Sequence, residues 1–183
     1  MAAQYFRQMF GPAARAAQGE AGSRAGYAVR EAVADGPDLL TRRELDFIAA
    51  RDSFYLGSIT PTGWPYIQHR GGPPGFLHAI GPNRLGFVEQ PGNRQFITQG
   101  NLQDNDRVAL FLIDQAARRR LKLIGHARGL ADGAGETGEG PFVVIEIDVI
   151  GLDWNCPQFI TPRFTREEAM RAIAEGDGTW RAR

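Results

Sequence analysis

Seven short apolar-rich runs follow one another after residue 52, at 54–60, 64–70, 76–80, 85–89, 108–114, 121–130 and 142–151. Each is bounded by residues that turn the chain, the pattern of successive β-strands. The last run shows the period most plainly, with Val143, Ile145, Ile147 and Val149 on one side and Glu146 and Asp148 on the other, as in a half-buried strand. Pro61-Thr62-Gly63 and Gly81-Pro82-Asn83 are turn sequences suited to joining antiparallel neighbours. Six or seven such strands with few helices predict a mainly β protein, a closed or nearly closed β-barrel with peripheral helices.

Helical spacing is confined to the flanks. Thr41-Arg42-Arg43-Glu44 has capping-box spacing and places Leu45, Ile48 and Ala49 on one face behind it, which predicts a helix over 42–51. Thr165-Arg166-Glu167-Glu168 repeats the spacing ahead of Ala169, Met170 and Ile173 and predicts a second over 166–175. Residues 1–40 mix Ala, Gly and Arg, interrupted by Gly11-Pro12, Gly19, Gly22, Gly26 and Gly36-Pro37; they read as a helical N-terminal arm outside the core. The stretch 131–140 carries no large apolar side chain and is expected to be a mobile loop. The organisation predicted is an arm over 1–40, one β-barrel domain over 41–176 and a loose tail over 177–183.

At 183 residues, 43% hydrophobic and 23% charged, the chain has the make-up of one soluble globular domain. Lys+Arg and Asp+Glu number 21 each. No overall field is therefore available to attract nucleic acid or an anionic membrane, and any anion site must be local. The 20 arginines beside one lysine reflect a GC-rich coding bias, so an arginine is not by itself a signal. A lone Cys156 allows no internal disulfide, and no N-terminal run is apolar enough for a signal peptide or a span, which predicts a cytoplasmic protein. His69, His78 and His126 show no ligand spacing, so no metal site is expected. Cys156 has no base among its neighbours and is expected to be a packed thiol.

Three stretches carry candidate chemistry. In 89–101, EQPGNRQFITQGN, Asn93 is placed to cap a helix that Arg94 begins, which would gather free N–H groups and a guanidinium around an anion; the alternative is an ordinary cap with Arg94 in water. In 68–75, Gly71-Gly72 lets the backbone approach a flat ligand and Arg70 reaches a phosphate or a ring carbonyl; the alternative is a glycine-rich bend. In 118–126, Arg120, Lys122 and His126 share one strand face, suited to an anionic ligand. A short nucleic-acid patch without a stacking platform and a solvated edge strand are the rival readings there.

In order, RDSFYLGSITPTGWPYIQHRGGPPGF, FVEQPGNRQFITQGNLQDNDRVALFLID, RRRLKLIGHARGL and DWNCPQFITPRFT resemble the flavin-nucleotide-binding proteins related to pyridoxamine 5′-phosphate oxidase, over roughly residues 45–165. The resemblance implies a split β-barrel, a homodimer, with FMN in two equivalent clefts where the subunits meet. It implies that Gln68, His69 and Arg70 lie along the flavin, with Gly71 allowing close approach. Asn93, Arg94 and Gln95 would grip the phosphate, Gln95 standing where the family carries Lys. Arg120, Lys122, Trp154 and Arg163 would be contributed by the partner subunit. The function implied is an FMN-dependent oxidoreductase acting on an unidentified small molecule. The end of the chain, 178–183, lacks the His of true pyridoxamine phosphate oxidases, which argues against vitamin B6 oxidation. A non-catalytic flavin-binding or stress-related module, or a barrel carrying heme or a deazaflavin, stays open, and no catalytic residue is assigned.

Overall fold

The computed structural model describes residues 3–32, 36–90, 92–132 and 142–176. Most of the segment expected as a mobile loop and all of the expected loose tail lie outside them. Three helices open the chain, α1 (Ala3–Met9), α2 (Pro12–Glu20) and α3 (Arg24–Glu31), followed by α4 (Arg42–Ala49). Strands β1 (Ser53–Ile59), β2 (Pro65–Gly71), β3 (His78–Gly81) and β4 (Arg84–Glu89) precede α5 (Ile97–Asp104). Strands β5 (Arg107–Asp114), β6 (Arg119–Asp132) and β7 (Phe142–Asn155) then lead to α6 (Arg166–Ala174).

The strands form a single antiparallel sheet in the order β2-β1-β5-β6-β7-β4-β3. Its curl is visible in the core: Phe54 on β1 meets Phe87 on β4 edge-on at 5.3 Å and stacks on Phe76 at 5.6 Å. Among the described residues no ladder joins β2 to β3, so the barrel is split at that seam. Period-2 alternation aims Leu56, Leu110, Leu112, Leu121, Leu123, Ile145 and Ile147 inward, all of them almost fully buried, and each such side chain contributes about 1.5–3 kcal/mol on leaving water.

The alternation in β7 holds only as far as Val149. The β6–β7 register shifts between Ile124 and Gly125, where Ile124 pairs with Gly151 and Gly125 with Val149. The extra residue, Ile150, is a β-bulge, and beyond it Leu152 and Trp154 point to the core while Asp153 faces out. A Cβ on Gly125 would stand 2.3 Å from the Asp148 carbonyl oxygen, so the bulge requires glycine there.

The arm is more than a cover. Tyr5 and Phe6 of α1 are buried with Ile124 on the outer face of the sheet, and Phe10, Tyr27 and Ile150 complete this second apolar cluster. Gly151 admits α1: a Cβ there would lie 2.8 Å from the backbone of Tyr5. Asp38 fastens the arrangement, its carboxylate accepting from the backbone N–H groups of Gln4 at 3.0 Å, Tyr5 at 2.9 Å and Leu152 at 3.1 Å. Asn83, at φ +57°, donates to the carbonyls of Asp38 and Val149 and accepts from the Leu40 N–H. One turn residue thus ties the arm's exit to the bulge. Among the described residues no helix is long and apolar enough to cross a membrane.

Candidate functional site

The site is built where β2 and the end of β4 face each other across the seam. On β2, alternation turns Tyr66, Gln68 and Arg70 inward and leaves Pro65, Ile67 and His69 exposed. The same period on β4 aligns Glu89 with Leu85 and Phe87, so its carboxylate points inward and needs a partner. Arg70 supplies it: Nη2 lies 2.9 Å from Glu89 Oε1, with the two side chains 15% and 10% exposed. The same Nη2 donates to Thr98 Oγ1 at 3.0 Å. Arg70 Nε and Glu89 Oε2 are buried with no hydrogen-bond partner. Burial pushes the Glu89 carboxyl above the ordinary glutamate value, an effect that Arg70 offsets only in part.

Beyond Glu89 the backbone is irregular. Gly92, Arg94 and Phe96 have φ of +43°, +59° and +52°. Two non-glycine residues in the left-handed region so close together cost about 1–3 kcal/mol each, and such strain collects where a loop must hold a particular shape. The predicted cap is corrected here. The helix begins at Ile97, three residues later than expected, with Phe96 at its N-cap and no side-chain cap bond. Asn93 instead accepts from the Gln95 N–H at 3.3 Å, closing a local turn. Helix α5 is seated by Asn101, whose amide donates to Ser58 Oγ at 2.9 Å in the interior.

The resulting cavity, about 290 Å³, is bordered by Tyr66, Gln68 and Arg70 from β2, by Glu89 and Gln90, by Gly92, Asn93, Gln95 and Phe96 of the loop, and by Ile97, Thr98 and Gln99 of α5. Five carboxamides (Gln68, Gln90, Asn93, Gln95 and Gln99) and one ion pair give the lining its chemistry. Tyr66 donates its hydroxyl hydrogen to Gln68 Oε1. A lining of this kind offers many neutral donors and acceptors and no net charge.

Of the residues expected at a cofactor site, Gln68, Arg70, Asn93 and Gln95 meet at this cavity. The others stand elsewhere in the chain. His69 is on the opposite face of β2, with its ring edge-on to Tyr55 at 5.5 Å. Gly71 is exposed, and the missing Cβ of Gly72 makes room for the Phe76 ring, 2.7 Å from where that Cβ would be, so the second glycine serves packing. Arg94 is exposed and off the lining. Lys122, on the outer face of β6, pairs with Asp153 at 2.8 Å and lies 4.9 Å from the Tyr5 ring centre. Although burial works against its charge, these contacts hold its ammonium above the ordinary lysine value. Arg120 shares that face, half-buried. Trp154 packs edge-on against Phe47 at 4.8 Å and donates Nε1–H to Glu44 at 2.6 Å. Arg163 borders a different cavity, beside Arg51, Tyr55 and Phe111. Cys156 is exposed rather than packed, because the chain leaves the sheet at Asn155.

Glu89, Tyr66, Gln90, Phe96, Thr98 and Gln99 are not marked by motif spacing. For Glu89 a signal exists: an acidic residue in phase with Leu85 and Phe87 is a carboxylate aimed inward. The rest depend on where α5 begins, which the unusual backbone of Arg94 and Phe96 sets.

A family model described as Pyridoxamine 5′-phosphate oxidase matches residues 40–150. Among solved structures, HupZ of Group A Streptococcus is 17% identical, covers 68% of this chain and 99% of its own, and superposes with a TM-score of 0.51. A histidine-to-alanine variant of HupZ, also 17% identical, covers 63% and 98% with a TM-score of 0.50. A Nostoc punctiforme protein described as pyridoxamine 5′-phosphate oxidase-related and FMN binding is 10% identical over 56% of this chain and 73% of its own, with a TM-score of 0.43. At such identities the likeness to HupZ shows a shared fold. No curated protein matches the sequence.

Proposed function

This chain belongs to the pyridoxamine 5′-phosphate oxidase family, and from that premise we propose that it binds FMN in the cavity between β2 and the 90–99 segment and acts as a flavin-dependent oxidoreductase on a small molecule. The observation that carries the reading is the convergence of Gln68 and Arg70 with Asn93 and Gln95, from the far side of β3 and β4 in the sequence, on one cavity. The donor set suits the group. Carboxamides both give and accept hydrogen bonds, as the ring edge and hydroxyl chain of a flavin nucleotide require, and the unpartnered Arg70 Nε and Glu89 Oε2 leave further capacity. Arg70 and the five carboxamides would hold the cofactor, with the Phe96 ring, 55% exposed, beside it. Bound FMN would supply hydride and electron transfer, and the chain's part is to orient it and its substrate.

A cavity of about 290 Å³ is at the lower limit for ligand sites of roughly 300–1,000 Å³. That size supports a site completed by a second copy, a homodimer, for which the exposed apolar side chains of Tyr55 and Ile67 on the outer face of β1 and β2 offer a surface.

The test begins with the absorbance spectrum of the purified protein and a titration of FMN fluorescence. The expected result is a flavin band or saturable quenching that weakens at least about tenfold in Gln68→Ala, the loss of one good hydrogen bond in a buried site. Absence of both band and quenching overturns the reading. Anaerobic bleaching by NADH or NADPH marks a reductase, whereas a bound flavin that neither donor reduces marks a flavin-binding module without that activity.

A further inference from the structure

Glu89 is not among the residues that the family resemblance implies, yet it is the residue that sets the electrostatics of the cavity. Among the described residues that line it, Arg70 is the one cation and Glu89 the one anion, and they are already in contact at 2.9 Å. With the pair formed, the lining is neutral. The contact is single, not the two-bond fork that a guanidinium and a carboxylate can make: Nη2 is shared with Thr98, while Nε and Oε2 are left without partners. A pair so held keeps Arg70 from presenting a free charge without saturating it. An incoming anion must either compete with Glu89 for the guanidinium or lie close to a carboxylate of its own sign, and in a poorly solvated site either penalty is large. A neutral ligand edge meets neither obstacle and can use the five carboxamides directly.

We propose that Glu89 is a specificity-determining residue that neutralises Arg70, so that this cavity recognises its flavin through uncharged groups and discriminates only weakly for the terminal phosphate. The inference rests on the flavin reading of the same cavity and sharpens it. Riboflavin, which lacks the phosphate, is then bound nearly as well as FMN. Removing the carboxylate's charge while keeping its shape converts the cavity to an anion-preferring one.

Fluorescence titrations of FMN and riboflavin against wild type, Glu89→Gln and the double variant Glu89→Gln/Arg70→Gln test this, with the ratio of the two dissociation constants as readout. Wild type should favour FMN by less than about tenfold. Glu89→Gln should raise that preference by about tenfold through tighter FMN binding, the scale of one additional charge-assisted hydrogen bond to the phosphate, and the double variant should return it to the wild-type level. A ratio unchanged by Glu89→Gln while both flavins bind overturns the role of Glu89 and leaves the flavin site standing. If neither flavin binds wild type, the flavin reading falls and this inference with it. Should thermal melting show Glu89→Gln to be unfolded, wild type alone decides: a preference for FMN above about a hundredfold, or displacement of riboflavin by inorganic phosphate at low millimolar concentration, overturns the proposal, and the opposite result in both supports it.

Discussion

Two inward-facing glutamates sit at opposite ends of the barrel in opposite states. Glu44, at the corner of α4 and β7, accepts from the Thr41 N–H at 3.0 Å, from the Thr41 hydroxyl, and from Trp154 Nε1–H at 2.6 Å. Burial penalises its charge, but the bonds from Thr41 and Trp154 outweigh that and hold its carboxyl below the ordinary glutamate value. Glu89, at the seam, touches Arg70 through one oxygen and has the other unpartnered, and its carboxyl is pushed up. Saturation is what a carboxylate needs in order to hold a fold together. Spare hydrogen-bonding capacity in a comparably buried carboxylate costs stability and has a use only if something else is to be bound.

The largest effect that would break this contrast is at the saturated end. Glu44→Ala removes the capping box of α4 and strands the Trp154 N–H, and should cost about 2–4 kcal/mol by denaturant unfolding; a loss below about 1 kcal/mol would show that the bonds are not what matters there. Asp38→Ala, which deprives three backbone amides of their acceptor, should cost about 2–3 kcal/mol and speed hydrogen exchange in α1 more than in the β6–β7 ladder. Glu89→Gln should be close to neutral, within about 1 kcal/mol, because the loss of Arg70's counter-charge, which destabilises, is set against removal of a carboxylate whose burial outweighs that attraction, and the amide keeps an acceptor for Arg70.

The pH dependence separates the two glutamates by sign. Because the folded state lowers the Glu44 pKa, its contribution is fully present above the ordinary glutamate range and is lost as the pH falls through it. The folded state raises that of Glu89, so the folded protein binds that proton more tightly, and stability is lost as the pH rises above the ordinary value. Melting curves should therefore show Glu89→Gln gaining on wild type as the pH climbs out of that range, and a variant at Glu44 converging on wild type as it drops. The smallest effect is expected at Arg94. Its side chain is exposed and off the cavity, so Arg94→Ala should shift FMN affinity by less than about threefold, as for a solvated charge; a larger loss would bring Arg94 back as a phosphate ligand.

Much of the barrel was legible beforehand. The seven runs became β1 to β7 with ends displaced by a few residues, and the two capping boxes at Thr41 and Thr165 start α4 and α6. These signals are local: a strand's period and a helix's first turn are decided by side chains two to four residues apart. The candidate site was legible in half. Period 2 split the stretch 68–70, keeping Gln68 and Arg70 and sending His69 outward. The helix expected at Arg94 began at Ile97 because Arg94 and Phe96 adopt left-handed backbone, which no residue type there announces.

Alternating side chains and turn residues were enough to predict a mainly β chain, since each depends on neighbours along the backbone, and the order of its motifs resembles the pyridoxamine 5′-phosphate oxidase family to which the chain belongs. The pairing of Arg70 with Glu89, the parity change after Ile150 and the seating of Tyr5 over Gly151 join residues far apart in sequence or turn on a single extra residue. Such contacts exist only once the sheet has curled, because the curl, and not the order of residues, brings those groups within hydrogen-bonding or packing distance.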